Sequence, residues 1–166
     1  MLSLVQLYQL LLDFYGYQGW WPVDEGYHAT KGTDPRDEII IGAVLTQNTA
    51  WRNVEKALEN LKRYGELSLE FIRQVSTKEL EELIRPSGFY RLKAQRLKHI
   101  AEFFNPTDVV EKVSREELLK VKGIGKETAD AILLYAGGAK QLLISVQKYI
   151  IAVQHDGETF ECKKEE

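Results

Sequence analysis

Residues 119–129 read Leu-Lys-Val-Lys-Gly-Ile-Gly-Lys-Glu-Thr-Ala and set two glycines one residue apart between two helical patterns. This segment constrains the fold more than any other. Gly123 and Gly125 permit positive φ and leave no side chain over the turn. Ile124, between them, is suited to plug the turn into a core. The backbone N–H groups at the start of the following helix can then face an anion. Lys122 and Lys126 bring positive charge to the same end, followed by Thr128 and Ala129. A bare Gly-x-Gly is no more than a tight turn between helices. The flanking lysines and the Thr-Ala pair favour a turn that holds a phosphate.

The rest of the chain is helical in pattern. Leu4, Leu7, Tyr8, Leu11, Leu12 and Tyr15 follow the i, i+3, i+4, i+7 spacing of an amphipathic helix, which Gly16 and Gly19 break. Residues 20–36, rich in Gly, Pro and polar side chains, read as a long loop. A strongly apolar stretch over 37–48 predicts a buried helix. Trp51, Val54, Leu58 and Leu61 mark the next, with Thr49 as its N-cap. Short helices are expected from about Ser68 and Ser76. Ser76 with Glu79, and Ser114 with Glu117, fit capping boxes. Pro86, Ser87 and Gly88 stop one helix, 91–104 form another, and Asn105-Pro106 is a turn. Gly137-Gly138 ends the helix after the hairpin. Over 141–153, periodicity does not decide between helix and strand. The expected fold is all-α.

Composition narrows the function classes. The chain has 166 residues, enough for one domain or two small lobes. No apolar run approaches the ~20 residues of a membrane span, and 1–19 do not form a signal peptide, so a soluble, intracellular (cytoplasmic) protein is expected. The single Cys162 excludes an internal disulfide and any four-cysteine metal or iron–sulfur cage. His28, His99 and His155 lack metal-ligand spacing, so no metal or other cofactor is expected. Net charge is −3, which argues against binding driven by overall charge. Locally the balance differs. From Arg85 to Ala101 there is no acidic residue, and Arg85, Arg91, Lys93, Arg96 and Lys98 are all basic. Taken alone, that stretch reads as a solvated helix face.

Four segments, in order, resemble the helix-hairpin-helix DNA glycosylases of the endonuclease III superfamily. They are the hairpin 119–129; Gly42-Ala-Val-Leu-Thr-Gln-Asn-Thr-Ala-Trp51; Ile84-Arg-Pro-Ser-Gly-Phe-Tyr-Arg-Leu-Lys-Ala94; and Gly19-Trp-Trp-Pro22. The last, with Thr-Gln-Asn-Thr-Ala-Trp, resembles the branch that removes alkylated purines such as 3-methyladenine. The resemblance spans about residues 1–149. It implies two helical lobes around a cleft. Residues 1–24 would give the N-terminal helix and loop of the second lobe. Residues 25–136 would form a barrel-like helical domain ending in the helix-hairpin-helix at about 114–136. Residues 137–166 would be a return segment and an atypical polar tail. Relatives continue for several more helices, so the second lobe is expected to be incomplete.

The resemblance also implies roles. Lys122, Gly123, Ile124, Gly125, Lys126 and Thr128 would hold the backbone of double-stranded DNA. Phe89 would wedge into the duplex, Gln47 would face the DNA, and Trp20, Trp21 and Pro22 would form the base pocket. Trp21, beside the rigid Pro22, is the expected pocket residue. A monomer hydrolysing the N-glycosidic bond of a flipped base is implied, and flipping costs a few kcal/mol. The family places an aspartate after the hairpin's second helix, and here Ser145-Val-Gln-Lys-Tyr149 puts Gln147 there. An amide can position water but cannot supply charge to a cationic transition state. Asp130 and Asp156 are the alternative carboxylates. Glu127 stands where strand-cleaving relatives carry a lysine nucleophile, and it cannot form a Schiff base. A non-catalytic DNA-binding homologue is the competing expectation.

Overall fold

The structure is a computed structural model that describes residues 3–15, 21–105, 107–137, 142–145 and 150–153. Helices make up the fold. α1 covers Leu4–Tyr15, α2 Glu25–Lys31, α3 Pro35–Leu45 and α4 Trp51–Tyr64. α5 (Leu69–Gln74) and α6 (Thr77–Leu83) follow, then a 3-10 turn at Arg85–Ser87 and α7 at Tyr90–Phe103. A second 3-10 segment, Thr107–Lys112, leads to α8 (Arg115–Lys120) and α9 (Lys126–Tyr135).

α3 is the centre. Asp34 caps it by accepting from the Arg36 N–H, and Pro35 sits at its first position, where no N–H is needed. Every residue from Asp37 to Leu45 is buried. A helix apolar on all sides belongs inside, and α4, α7 and α9 pack around this one. The core runs from Ile40, Ile41 and Leu45 through Leu61, Leu69, Leu97 and Phe104 to Ile132.

The structure corrects several local readings. The expected loop over 20–36 contains α2. Asp24 caps it by accepting from the Tyr27 N–H, and Gly32, at φ 69°, closes it. Its short length and single buried residue, His28, left no apolar stripe to read. Thr49 is not the cap of α4. Ala50 holds that position without a side-chain bond, and the Thr49 hydroxyl accepts from Asn53 Nδ2 at 3.1 Å instead. The Ser114–Glu117 capping box has both reciprocal bonds. At Ser76 the hydroxyl accepts from the Glu79 N–H but itself donates to the Glu79 carboxylate at 2.6 Å.

The stretch 141–153, open in sequence, contains two short strands. β1 (Leu142–Ser145) pairs antiparallel with β2 (Ile150–Val153), with Leu142 opposite Val153 and Ser145 opposite Ile150. The hairpin is an appendage next to α9. Among the described residues, no helix is long and apolar enough to cross a membrane.

Candidate nucleic-acid interface

The glycine hairpin joins α8 to α9, and its turn is exposed at Lys122, Gly123, Gly125 and Lys126. Gly123 has φ 93°, and a Cβ there would stand 2.4 Å from Cγ of Arg96. Position 123 therefore accepts only glycine, on both conformation and space. Ile124 is buried and donates its N–H to the Val121 carbonyl at 3.0 Å, which closes the turn. Gly125 caps α9 with no side-chain acceptor. The first N–H groups of α9 thus lack intrahelical acceptors and sit at the positive end of its dipole.

Thr128 is buried, and its hydroxyl accepts from Gln47 Nε2 at 2.9 Å. The same nitrogen reaches the Gly123 carbonyl at 3.4 Å, and Gln47 Oε1 accepts from Arg96 Nη1. Gln47 therefore ties the α3–α4 turn, the hairpin and α7 to one another. The exposed neighbour is Asn48, in left-handed backbone at φ 51°. Sequence reasoning passed over it. Its signal was an Asn in the short turn after the buried helix, since Asn tolerates this conformation better than most residues.

Phe89 is 68% exposed and also left-handed, at φ 47°. A bulky side chain in that backbone region is strained, by about 1–3 kcal/mol. Asn48 and Phe89 are the two non-glycine residues with positive φ among the described residues. Each sits at a turn entering a helix.

The basic stretch is a solvated face only at Arg85 and Arg91. Lys93 is 1% exposed, and its ammonium donates to the carbonyls of Leu45 (2.8 Å) and Ser87 (2.6 Å). Burial, with Arg96 nearby, lowers its pKa from 10.5 to about 8. Lys98 donates to the carbonyls of Arg73 and Val75 at the end of α5. His99 Nδ1 lies 3.2 Å from the Lys122 carbonyl. Arg85 pairs with Glu82 at 3.0 Å, and Arg91 reaches Glu81 at 4.0 Å. Most of these cations bind the protein's own backbone and acids. On the hairpin surface Lys120, Lys122 and Lys126 are exposed.

Trp21 is half-buried, and its ring lies over Gly42, where a Cβ would approach to 2.8 Å. It packs edge-on to Trp51 (centroids 5.6 Å apart) and beside Tyr135 (5.3 Å). Its Nε1 is buried without a hydrogen-bond partner among the described residues. An open cavity of about 270 Å³ is lined by Pro22, Trp51, Glu38, Glu55 and Glu59, among others. Its aromatic lining residue is Trp51, which the sequence reading placed in a helix and a family segment but not in the base pocket. Among its lining residues Glu38 is buried and bonds His28 Nε2 (3.0 Å) and Lys62 (3.1 Å).

Asp130 is held by Arg115 through two bonds, 2.6 Å from Nε and 3.1 Å from Nη2. Glu127 is exposed in the first turn of α9. Trp20, Gln147 and Asp156 lie outside the described residues.

Together these features define a helix-hairpin-helix protein whose turns converge on α7. The chain belongs to the HhH-GPD superfamily of base excision DNA repair proteins, whose model matches residues 41–158. It is 45% identical over 141 residues to a Methanocaldococcus jannaschii protein classed provisionally as a DNA repair glycosylase, covering 79% of this chain and 60% of that one. It is 37% identical over 119 residues to endonuclease III of Thermotoga maritima, covering 68% of this chain and 52% of that one. The chain therefore spans between half and two thirds of the length of these relatives. Among solved structures, it resembles the H. pylori 3-methyladenine DNA glycosylase bound to 1,N6-ethenoadenine, with TM-score 0.68 and 36% identity, covering 84% of this chain and 65% of that one. A trapped endonuclease III–DNA intermediate shares the fold, with TM-score 0.64 and 21% identity, covering 88% of this chain and 66% of that one.

Proposed function

We propose that this chain removes a damaged base, an alkylated purine, from duplex DNA by hydrolysis and leaves the strand uncut. Phe89 carries the reading: an exposed aromatic held in strained backbone is what a wedge beside a flipped base requires. The hairpin would hold the phosphodiester backbone through the α9 amides and Lys122 and Lys126. Asn48, exposed beside the tied Gln47, is the side chain placed to enter the gap left by the base. The similarity to the H. pylori enzyme supports a purine substrate. The cavity supports a cationic one, because Trp51 lines it and Glu55 and Glu59 offer negative charge beyond the Glu38 that Lys62 already neutralises. In the reaction, the oxygen of water bonds to the sugar C1′ and gives up one proton to solvent, while the C1′–N bond breaks and the purine leaves with its bonding pair. Glu127 in the lysine position argues against strand cleavage through a Schiff base.

One sequence feature favours a second reading, binding without turnover: Gln147 stands at the aspartate position, and Asp130 is tied to Arg115. A missing charge of this kind costs about 100–1000-fold in rate. Single-turnover release of 3-methyladenine from duplex DNA, by the unaltered chain and by Gln147→Asp, separates the two. Release by the unaltered chain supports the hydrolase. Release by Gln147→Asp alone supports the binding protein. A chain that does not bind the duplex at low salt contradicts both.

A further inference from the structure

Lys93 is the least expected buried residue in this chain. It lies in the first turn of α7, where the helix dipole disfavours a cation. It is 1% exposed, and no carboxylate lies within ion-pair distance of it among the described residues. A lysine that only filled space there would be replaced by methionine at no cost. Its ammonium instead joins two carbonyls from segments 42 residues apart in sequence, Leu45 and Ser87. Leu45 ends α3, three residues before Asn48, and Ser87 lies two residues before Phe89. The two left-handed residues, Asn48 and Phe89, therefore hang from turns held by the same ammonium.

We infer that Lys93 is a positioning residue that locks the Asn48 and Phe89 turns into one rigid unit, so that both side chains enter DNA together. This rests on the proposed function. Arg96 and His99, at three-residue steps along α7, do a separate job: they contact Gln47 and the Lys122 carbonyl and so address the hairpin. Wedge and gap insertion thus depend on Lys93, and backbone holding on the residues farther along α7.

The test uses a duplex carrying a tetrahydrofuran abasic analogue with 2-aminopurine on the opposite strand. Binding is read by anisotropy and insertion by the 2-aminopurine fluorescence. The unaltered chain is compared with Lys93→Met and Lys93→Gln, each checked for folding by circular dichroism. The expected result is a folded variant that binds with an unchanged salt slope, because a buried lysine neutralises no phosphate. Its insertion signal at saturating protein falls about tenfold, the size of a lost coupling between two loops. A merely structural lysine would move the melting temperature and leave the fluorescence of the bound complex intact. Full insertion by a folded variant, or failure of both variants to fold, overturns the inference alone. Absence of binding by the unaltered chain overturns the DNA reading and this inference with it.

Discussion

Phe89 combines exposure with a backbone conformation that aromatic residues avoid, at the residue that opens α7. Strain kept at such a position is a sign of function rather than of stability. Phe89→Gly should therefore melt at the same temperature as the unaltered chain or higher, by up to about 1 kcal/mol in stability, while base release falls. Thermal melts beside a single-turnover assay check this; parallel losses of both would contradict it. Lys93 gives a second test at this scale. With its pKa at about 8 in the folded chain against 10.5 in the unfolded one, the unfolded chain binds more protons between those values. Stability should accordingly rise with pH from about 8 to about 10.5, by roughly 3 kcal/mol if Lys93 acts alone. Urea titrations across that range should show the rise, and Lys93→Met should flatten it. Of these two residues, the sequence pointed to Phe89 only through the family pattern. Lys93 was legible as a charge but not as a buried one, since residue type does not say where a four-carbon stem places its head.

At the level of elements, legibility followed the strength of the apolar pattern. α3 was plain, because Ile39-Ile-Ile-Gly-Ala-Val-Leu45 has no solvent face. α2 was hidden, because seven residues with one buried side chain carry no periodicity. The basic run of α7 was misleading for a related reason. Lys93 and Lys98 donate to carbonyls at the ends of neighbouring elements, and Arg73 on α5 returns the favour at 2.6 Å from the Ala101 carbonyl of α7. Cations at helix C-termini are favoured by the dipole, so each of these links also fixes a helix end. The two arms of the hairpin are joined separately, by Arg115 on α8 and Asp130 on α9. Asp130→Asn should lower stability by about 1 kcal/mol and leave base release unchanged. Loss of release at unchanged stability would instead make Asp130 the missing carboxylate.

For the whole molecule, the sequence told the class of fold and the order of its motifs, while the composition of the site emerged only in three dimensions. Trp51 and Asn48 took positions at the cavity and the turn that no linear pattern assigned. Gln47, expected to face DNA, is bound to Thr128, Gly123 and Arg96. The apolar side chains of α1 at Leu7, Leu10, Leu11 and Phe14 are exposed, and the chain spans 60% of its M. jannaschii relative. An acidic chain of net charge −3 holds DNA through a local surface rather than through its overall charge, and the hairpin, with Lys120, Lys122 and Lys126 exposed, is the proposed surface.

The central claim is thus that the glycine hairpin is where the chain grips the duplex. It is tested most directly by measuring the dependence of duplex affinity on salt, for the unaltered chain and for Lys122→Ala/Lys126→Ala. The account predicts affinity that falls steeply with salt, and a slope reduced by about 2 in the double variant as two phosphate contacts are lost. An unchanged slope, in a variant that remains folded, would place the DNA elsewhere on the molecule and contradict it.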